Sequence, residues 1–186
     1  MSTYPIRRIA RAAVTVAAAL GLLGGAAVAA TSPAATAKPA DSTVRAAPAT
    51  LAAGVTIRPI ASRACVTAAG FDGSAILQVG CGSWGHQLWN IVEVPSRPGL
   101  YEIQNVTTGK CLEIAGWAGV NGAAAMTWTC FGGAHQRWWV WRTSGGYYHI
   151  KNENSGKCLD VHNTDWWIPA IQWDCHLGGE QQFLIP

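Results

Sequence analysis

Three patterns of hydrophobic and polar positions follow one another along the chain. Residues 12 to about 30 are apolar throughout and rich in Ala, Val and Leu, behind a basic start at Arg7, Arg8 and Arg11. Residues 31–54 are almost all Ala, Pro, Thr and Ser, with no period. From residue 55 apolar and polar positions alternate in short runs, as in Tyr101-Glu102-Ile103-Gln104 and Tyr148-His149-Ile150-Lys151. Clusters of Gly, Asn, Ser and Thr break these runs about every ten residues, as turns between strands do. Alternation at period two lays one face of a strand on a core. No stretch after residue 55 shows a helical period, so the pattern predicts an all-β domain over 55–186.

The first two stretches read as export and spacing. A basic start, a short apolar run and small residues at Val28 and Ala30 predict a signal peptide over 1–30, and hence a secreted protein. The run is mostly Ala and Gly rather than Leu and Ile, which suits cleavage better than a membrane anchor. The residues after Arg7-Arg8 do not fit a twin-arginine signal. Residues 31–54 cannot bury enough apolar surface to offset chain entropy, which predicts a linker without fixed structure.

Loss of the signal changes the charge balance. The chain has 13 basic and 10 acidic side chains, and the three charges in residues 1–30 are all arginines, so the mature part is neutral. It has no Lys/Arg cluster of the kind that meets phosphates, which argues against nucleic acid as a partner. The same balance argues against an anionic membrane surface, and no insertion is expected after cleavage. With 49% hydrophobic and 12% charged residues, the chain can build a core. Its ten tryptophans are many for the size and serve either as core or as flat stacking surfaces.

Laying the chain on itself shows a threefold repeat. Cys65, Cys111 and Cys158 recur at intervals of 46 and 47; Cys81, Cys130 and Cys175 recur at 49 and 45. Behind each second cysteine stands a Gln-x-aromatic triplet: Gln87-Leu88-Trp89, Gln136-Arg137-Trp138 and Gln181-Gln182-Phe183. Gly109-Lys110-Cys111-Leu112-Glu113 matches Gly156-Lys157-Cys158-Leu159-Asp160, and Arg63-Ala64-Cys65-Val66-Thr67 is the divergent first copy. The repeats run over about 55–99, 100–145 and 146–186. Six cysteines permit fifteen pairings, and the repeat selects Cys65–Cys81, Cys111–Cys130 and Cys158–Cys175. Zinc would need Cys-x-x-Cys pairs or a Cys/His knuckle, and neither occurs, so no metal and no cofactor is expected. Repeats of about 45 residues cannot each hold a core and must share one; a closed barrel of pseudo-threefold symmetry also removes exposed edges.

The motifs now assembled carry a resemblance. Gly156-Lys157-Cys158-Leu159-Asp160-Val161, a Trp two before the partner cysteine, and Gly178-Gly179-Glu180-Gln181-Gln182-Phe183 resemble the ricin B-chain type (Gln-x-Trp) lectin repeat. The resemblance covers all three repeats, about 130 residues. It implies a β-trefoil: a six-stranded barrel, three capping hairpins and one potential sugar pocket per repeat. It also implies that Trp89, Trp138 and Phe183 are core residues.

A sugar pocket needs an aromatic platform for the C–H face of a pyranose and charged or amide partners for its hydroxyls. The resemblance places the carboxylate two after the first cysteine, the platform two before the second, a polar residue after that cysteine, and an Asn before the Gln. In the third repeat these positions hold Asp160, Trp173, His176 and Glu180, with Gln181 behind. Glu180 stands where the family has Asn; it cannot donate, and its charge beside Asp160 calls for a compensating donor, which His176 can supply. Ile171 stands where the family often has Gln, with Gln172 beside it. In the second repeat the set is Glu113, Trp128, Phe131 and His135, with Gln136 behind, and the longer Glu displaces the carboxylate. In the first repeat Thr67, Val79, Gly82 and His86 supply neither carboxylate nor platform, so no binding is expected there. Trp117 and Asp165-Trp166-Trp167 lie in matching loops and either wall the pockets or cover the hairpin layer. Asn105-Val106-Thr107 is a glycosylation sequon with no role assigned.

The expected function is sugar binding, with a mono- or polysaccharide as partner. No nucleophile elbow, zinc-protease motif or phosphate loop is present, so no enzymatic activity is expected. Asp160 and Glu180 resemble a glycosidase pair only in type, because a trefoil pocket is shallow and excludes little water. The alternative is a trefoil scaffold that binds a protein partner through surface loops, as protease inhibitors of similar fold do.

Overall fold

A computed structural model describes residues 49–82, 84–162, 167–176 and 178–186. The expected signal peptide over 1–30, the linker as far as residue 48, and Asp165 and Trp166 lie outside the described residues.

Short alternating segments bounded by turns give short strands. In the first repeat they are β1 (Thr50–Val55), β2 (Arg58–Pro59), β3 (Cys65–Thr67), β4 (Ser74–Ala75), β5 (Leu77–Val79) and β6 (Trp89–Glu93). The second repeat holds β7 (Leu100–Asn105), β8 (Cys111–Ile114), β9 (Ala125–Trp128) and β10 (Arg137–Arg142). The third holds β11 (Tyr148–Asn152), β12 (Cys158–Asp160), β13 (Ile171–Trp173) and β14 (Phe183–Leu184). Among the described residues the only helical turns are three-residue 3-10 segments at Gly85–Gln87, Ala115–Trp117 and Ala134–Gln136.

The pairings close a barrel. β1 pairs β6, β6 pairs β7, β7 pairs β10, and β10 pairs β11, all antiparallel. β14 joins β11 on one side and β2 on the other, which returns the sheet to its first repeat. Hairpins β3–β5, β8–β9 and β12–β13 cap one end. This is the β-trefoil that the resemblance implies.

Threefold equivalence runs through the core. Trp89, Trp138 and Phe183 are completely buried, as are Ile57, Ile103 and Ile150. The indole N–H groups of Trp89 and Trp138 each donate 2.9 Å to a backbone carbonyl, of Val66 and Leu112. Truncating such a ring to Ala costs about 3–5 kcal/mol. At the cap, Ile76 N–H donates to Ala125 O (2.9 Å), Ala125 N–H to Ala170 O (2.9 Å), and Ala170 N–H to Ile76 O (2.7 Å). These three bonds form a closed ring, one contributed by each repeat.

All three cysteine pairs are those the repeat selects, with Cα–Cα separations of 5.0, 5.1 and 5.0 Å. Each bridge closes a loop of under twenty residues and contributes about 3 kcal/mol in the chain-entropy model. The linker boundary needs correction. β1 begins at Thr50, inside the stretch read as having no fixed structure. Its own residues, Thr-Leu-Ala-Ala-Gly-Val, are mostly small and show no alternation that would predict a strand. Pairing supplies what they lack: β6 gives the ladder, and Asn90 Oδ1 accepts the Gly54 N–H at 3.0 Å. The sequon at Asn105 also acquires a role. Asn105 is buried; its amide donates to His86 O and Leu88 O, and its Oδ1 accepts from Thr107 N and Thr108 N. Asn152 repeats this in the third copy, so the residue shapes the turn before each Gly-Lys-Cys.

Candidate functional site

The hairpin register assembles each pocket. Cys158 lies opposite Trp173, and Asp160 opposite Ile171. Residues two apart in a strand, and residues directly opposite across an antiparallel pair, share a face. Asp160, Ile171 and Trp173 therefore project to one side. The same register in the second repeat, Cys111 opposite Trp128 and Glu113 opposite Met126, gathers Glu113, Met126 and Trp128.

Behind each face a buried glutamine holds the loop that follows the second cysteine. The Gln181 amide donates to Asp160 Oδ2 (2.7 Å) and Asp174 O (3.1 Å), and its Oε1 accepts the His176 N–H (2.9 Å). Gln136 does the same for Glu113 Oε2 (2.8 Å), Thr129 O (3.0 Å) and the Phe131 N–H (2.9 Å). Gln87 completes the set with Thr67 Oγ1, Gly80 O and the Gly82 N–H. Gln181 and Gln136 thus aim the carboxylates from behind, with both amide hydrogens already engaged.

The third-repeat pocket is lined by Asp160, His162, Ile171, Trp173, His176 and Glu180. Asp160 is buried, whereas Trp173 and the His176 side chain are 42% and 40% exposed, so the pocket is a shallow dish with a carboxylate at its floor. Burial raises the Asp160 carboxyl above the ordinary aspartate range, against the Gln181 hydrogen bond and the His176 field that lower it. His176 Nδ1 accepts the Gly178 N–H at 3.0 Å, which leaves Nε2 to carry the hydrogen in the neutral ring. That Nε2 lies 3.5 Å from Asp160 Oδ2 and 4.0 Å from Glu180 Oε1. The imidazole thus stands between the two carboxylates, where a donor is needed. Asp160 Oδ1 has no partner among the described residues.

The second-repeat pocket is more aromatic. Trp117, Trp128 and Phe131 are all exposed and border Glu113, which is buried. His135 is buried, 3.9 Å from the Trp117 ring and 5.2 Å from the Phe131 ring by centroids, and its Nε2 lies 3.4 Å from Glu113 Oε2. Burial pushes the Glu113 carboxyl up and the His135 imidazole down, so both partners move toward neutral forms. An imidazole therefore meets the carboxylate in both pockets, but from different places: after the cysteine at His176, before the glutamine at His135. Gly116 and Trp117 both have φ of 59°, a left-handed conformation that costs a bulky residue about 1 kcal/mol or more and sets the Trp117 ring beside His135.

In the first repeat the Thr67 hydroxyl replaces the carboxylate as the glutamine's partner, and Val79 is buried where a platform would stand. Trp167 does not line the Asp160 pocket. Its ring is exposed, and its backbone N–H donates to the Gln78 carbonyl of the first repeat at 3.0 Å. His162 and Met126 line their pockets without having been singled out by the sequence; no repeat position marks them.

A family model described as ricin-type beta-trefoil lectin domain-like matches residues 85–173 and 139–185, more than half of the chain. The chain belongs to this family. No curated protein sequence matches it. Among solved structures, this ricin-type trefoil is similar to the designed threefold-symmetric protein ThreeFoil, at 25% identity and TM-score 0.67 over 70% of this chain and 96% of that one. An exo-beta-1,3-galactanase from Clostridium thermocellum gives 23% identity and TM-score 0.67 over 72% of this chain, which spans only 30% of the galactanase. The Macrolepiota procera ricin B-like lectin, solved in complex with lactose, gives 18% identity and TM-score 0.61 over 73% and 96% of the two chains.

Proposed function

We propose that this protein is a secreted lectin that binds sugar at the Asp160 pocket, with a second site at the Glu113 pocket and none in the first repeat. One observation carries the reading. A buried carboxylate is aimed by Gln181, keeps Oδ1 without a partner, and lies beside the half-exposed ring of Trp173. A carboxylate that lines the pocket at this point would accept a sugar hydroxyl in a charge-assisted hydrogen bond while the indole takes the C–H face. His176 and Glu180 complete the rim with a donor and an acceptor. Membership of a lectin family and the lactose complex of a ricin B-like relative support the same class of ligand. The shallowness of the dish, with Trp173 and His176 both well exposed, favours binding over hydrolysis, which needs water kept from the reacting bond.

The test is a glycan array probed with the purified protein, followed by titration of the hits against tryptophan fluorescence. Binding that disappears in Asp160→Ala supports the reading. Release of reducing sugar from a polysaccharide, lost in the same variant, would refute the non-enzymatic part of it. A second reading, a scaffold for a protein partner such as a protease, draws on Phe71 and Trp84, which stand exposed on the repeat that lacks a pocket. A folded protein that binds no glycan would favour it.

A further inference from the structure

Strand β11 carries a side chain that its alternation does not explain. His149 falls on the polar face in sequence, yet it is only 4% exposed. Neither ring nitrogen has a partner among the described residues. Both nitrogens are shielded from solvent, so the ring acts as a buried flat support for its neighbour rather than as a surface donor. His149 lies directly opposite Trp141 across β10 and β11, and the rings stack with centroids 5.3 Å apart and planes 14° apart. Trp141 is itself 43% exposed. Its open surface and His149 line a depression together with Arg142, Thr143, Cys175 and His176. His176 also lines the Asp160 pocket, so the two depressions share a wall.

We propose that the depression between Trp141, His149 and His176 is a second subsite of the Asp160 site, which takes the neighbouring ring of an oligosaccharide; the proposal rests on the Asp160 pocket being a sugar site. His149, stacked on Trp141 with the planes 14° apart, holds that indole in place at the depression. The exposed indole of Trp141 supplies the platform, as Trp173 does next door. Arg142 offers further donors at the rim. The ligand class is therefore an oligosaccharide of two or more rings, and a single sugar fills only half of the site.

Calorimetric titration of the full protein with matched sugars tests this: galactose and lactose, xylose and xylotriose, N-acetylglucosamine and its dimer. For the ring type that binds, the longer sugar is expected to bind about tenfold tighter than the monosaccharide, the equivalent of one well-placed stacking contact. Trp141→Ala should abolish that gain and leave the monosaccharide affinity unchanged, which also shows that the variant is folded. Trp141→Phe should retain most of the gain. If the gain survives in Trp141→Ala, or if the longer sugar binds no tighter in the unmutated protein, the subsite is refuted while binding at Asp160 stands. If neither sugar of any pair binds, both readings fall together.

Discussion

Asp160 meets two opposed demands. Burial penalises its charge, while the proposed sugar binding would use that charge. Asp160→Asn keeps the shape and an oxygen for the Gln181 amide but removes the charge. Sugar affinity should fall by about 10- to 100-fold, the worth of a hydrogen bond to a charged acceptor. Thermal stability should be equal or higher, measured by calorimetry on the same sample. The pH dependence has a definite sign. A raised carboxyl takes up its proton in the folded state first, so between its ordinary 3.8 and its folded value acidification stabilises the fold relative to this group. Over that window protonation also removes the charged acceptor, so affinity should fall on acidification. The imidazoles act oppositely. Burial pushes His135 and His149 down from 6.5, so the unfolded chain takes their protons first, and below 6.5 they oppose folding. Not all of these residues were legible in the sequence. Asp160, Trp173 and His176 stand out because they occupy positions that recur in each repeat. His149 and Trp141 have Glu102 and Pro186 as counterparts where the repeats are laid together, so nothing in the comparison of copies marks them. Only the register of β10 and β11 brings them face to face.

At the level of the element, the unit is a hairpin, its disulfide and the glutamine behind it. The bridge fixes where the hairpin strands end; the glutamine fixes where the following loop turns back. Gln181→Ala would leave Asp160 Oδ2, Asp174 O and the His176 N–H without their partner. The three lost bonds sum to about 3 kcal/mol at the usual net value of each, expected as a lower denaturant midpoint with an unchanged slope. Sugar affinity should drop as well, since the substitution frees both the carboxylate and the imidazole that lie on the pocket. The Gln-x-aromatic triplet was plain in the sequence, and its aromatic was expected in the core. The glutamine's hidden task was not, because three bonds to the backbone and one neighbour leave no trace in residue type. The edge of β1 was equally hidden: Thr50–Gly54 reads as linker because the ladder that orders it belongs to β6.

Across the described residues, symmetry and the proposed sites separate. Barrel, disulfides and aromatic core obey the threefold axis, whereas the carboxylates occur in two copies and the Trp141 depression in one. The fold was legible because it depends on features that recur. The site was legible only in part, since it depends on departures from recurrence such as Glu180 for Asn and His135 before Gln136.

The closing pair of the barrel has a consequence for how the chain is threaded. β2 and β14 lie side by side, and Ile60 N–H donates to Gln182 O at 2.9 Å, so the last strand of the domain meets its first repeat just after β1. The turn at Gly145-Gly146 between the second and third repeats is a simple surface reversal, with Thr143 N–H on Tyr147 O at 2.7 Å. Starting points on such a ring are interchangeable. A permutant opened between Gly145 and Gly146, with Pro186 joined to Ala49 by a Gly/Ser linker long enough to run back along β1, should fold to the same disulfide pairing, read by peptide mapping. It should also keep its sugar affinity, because Asp160, Trp173 and His176 all stay on one unbroken segment.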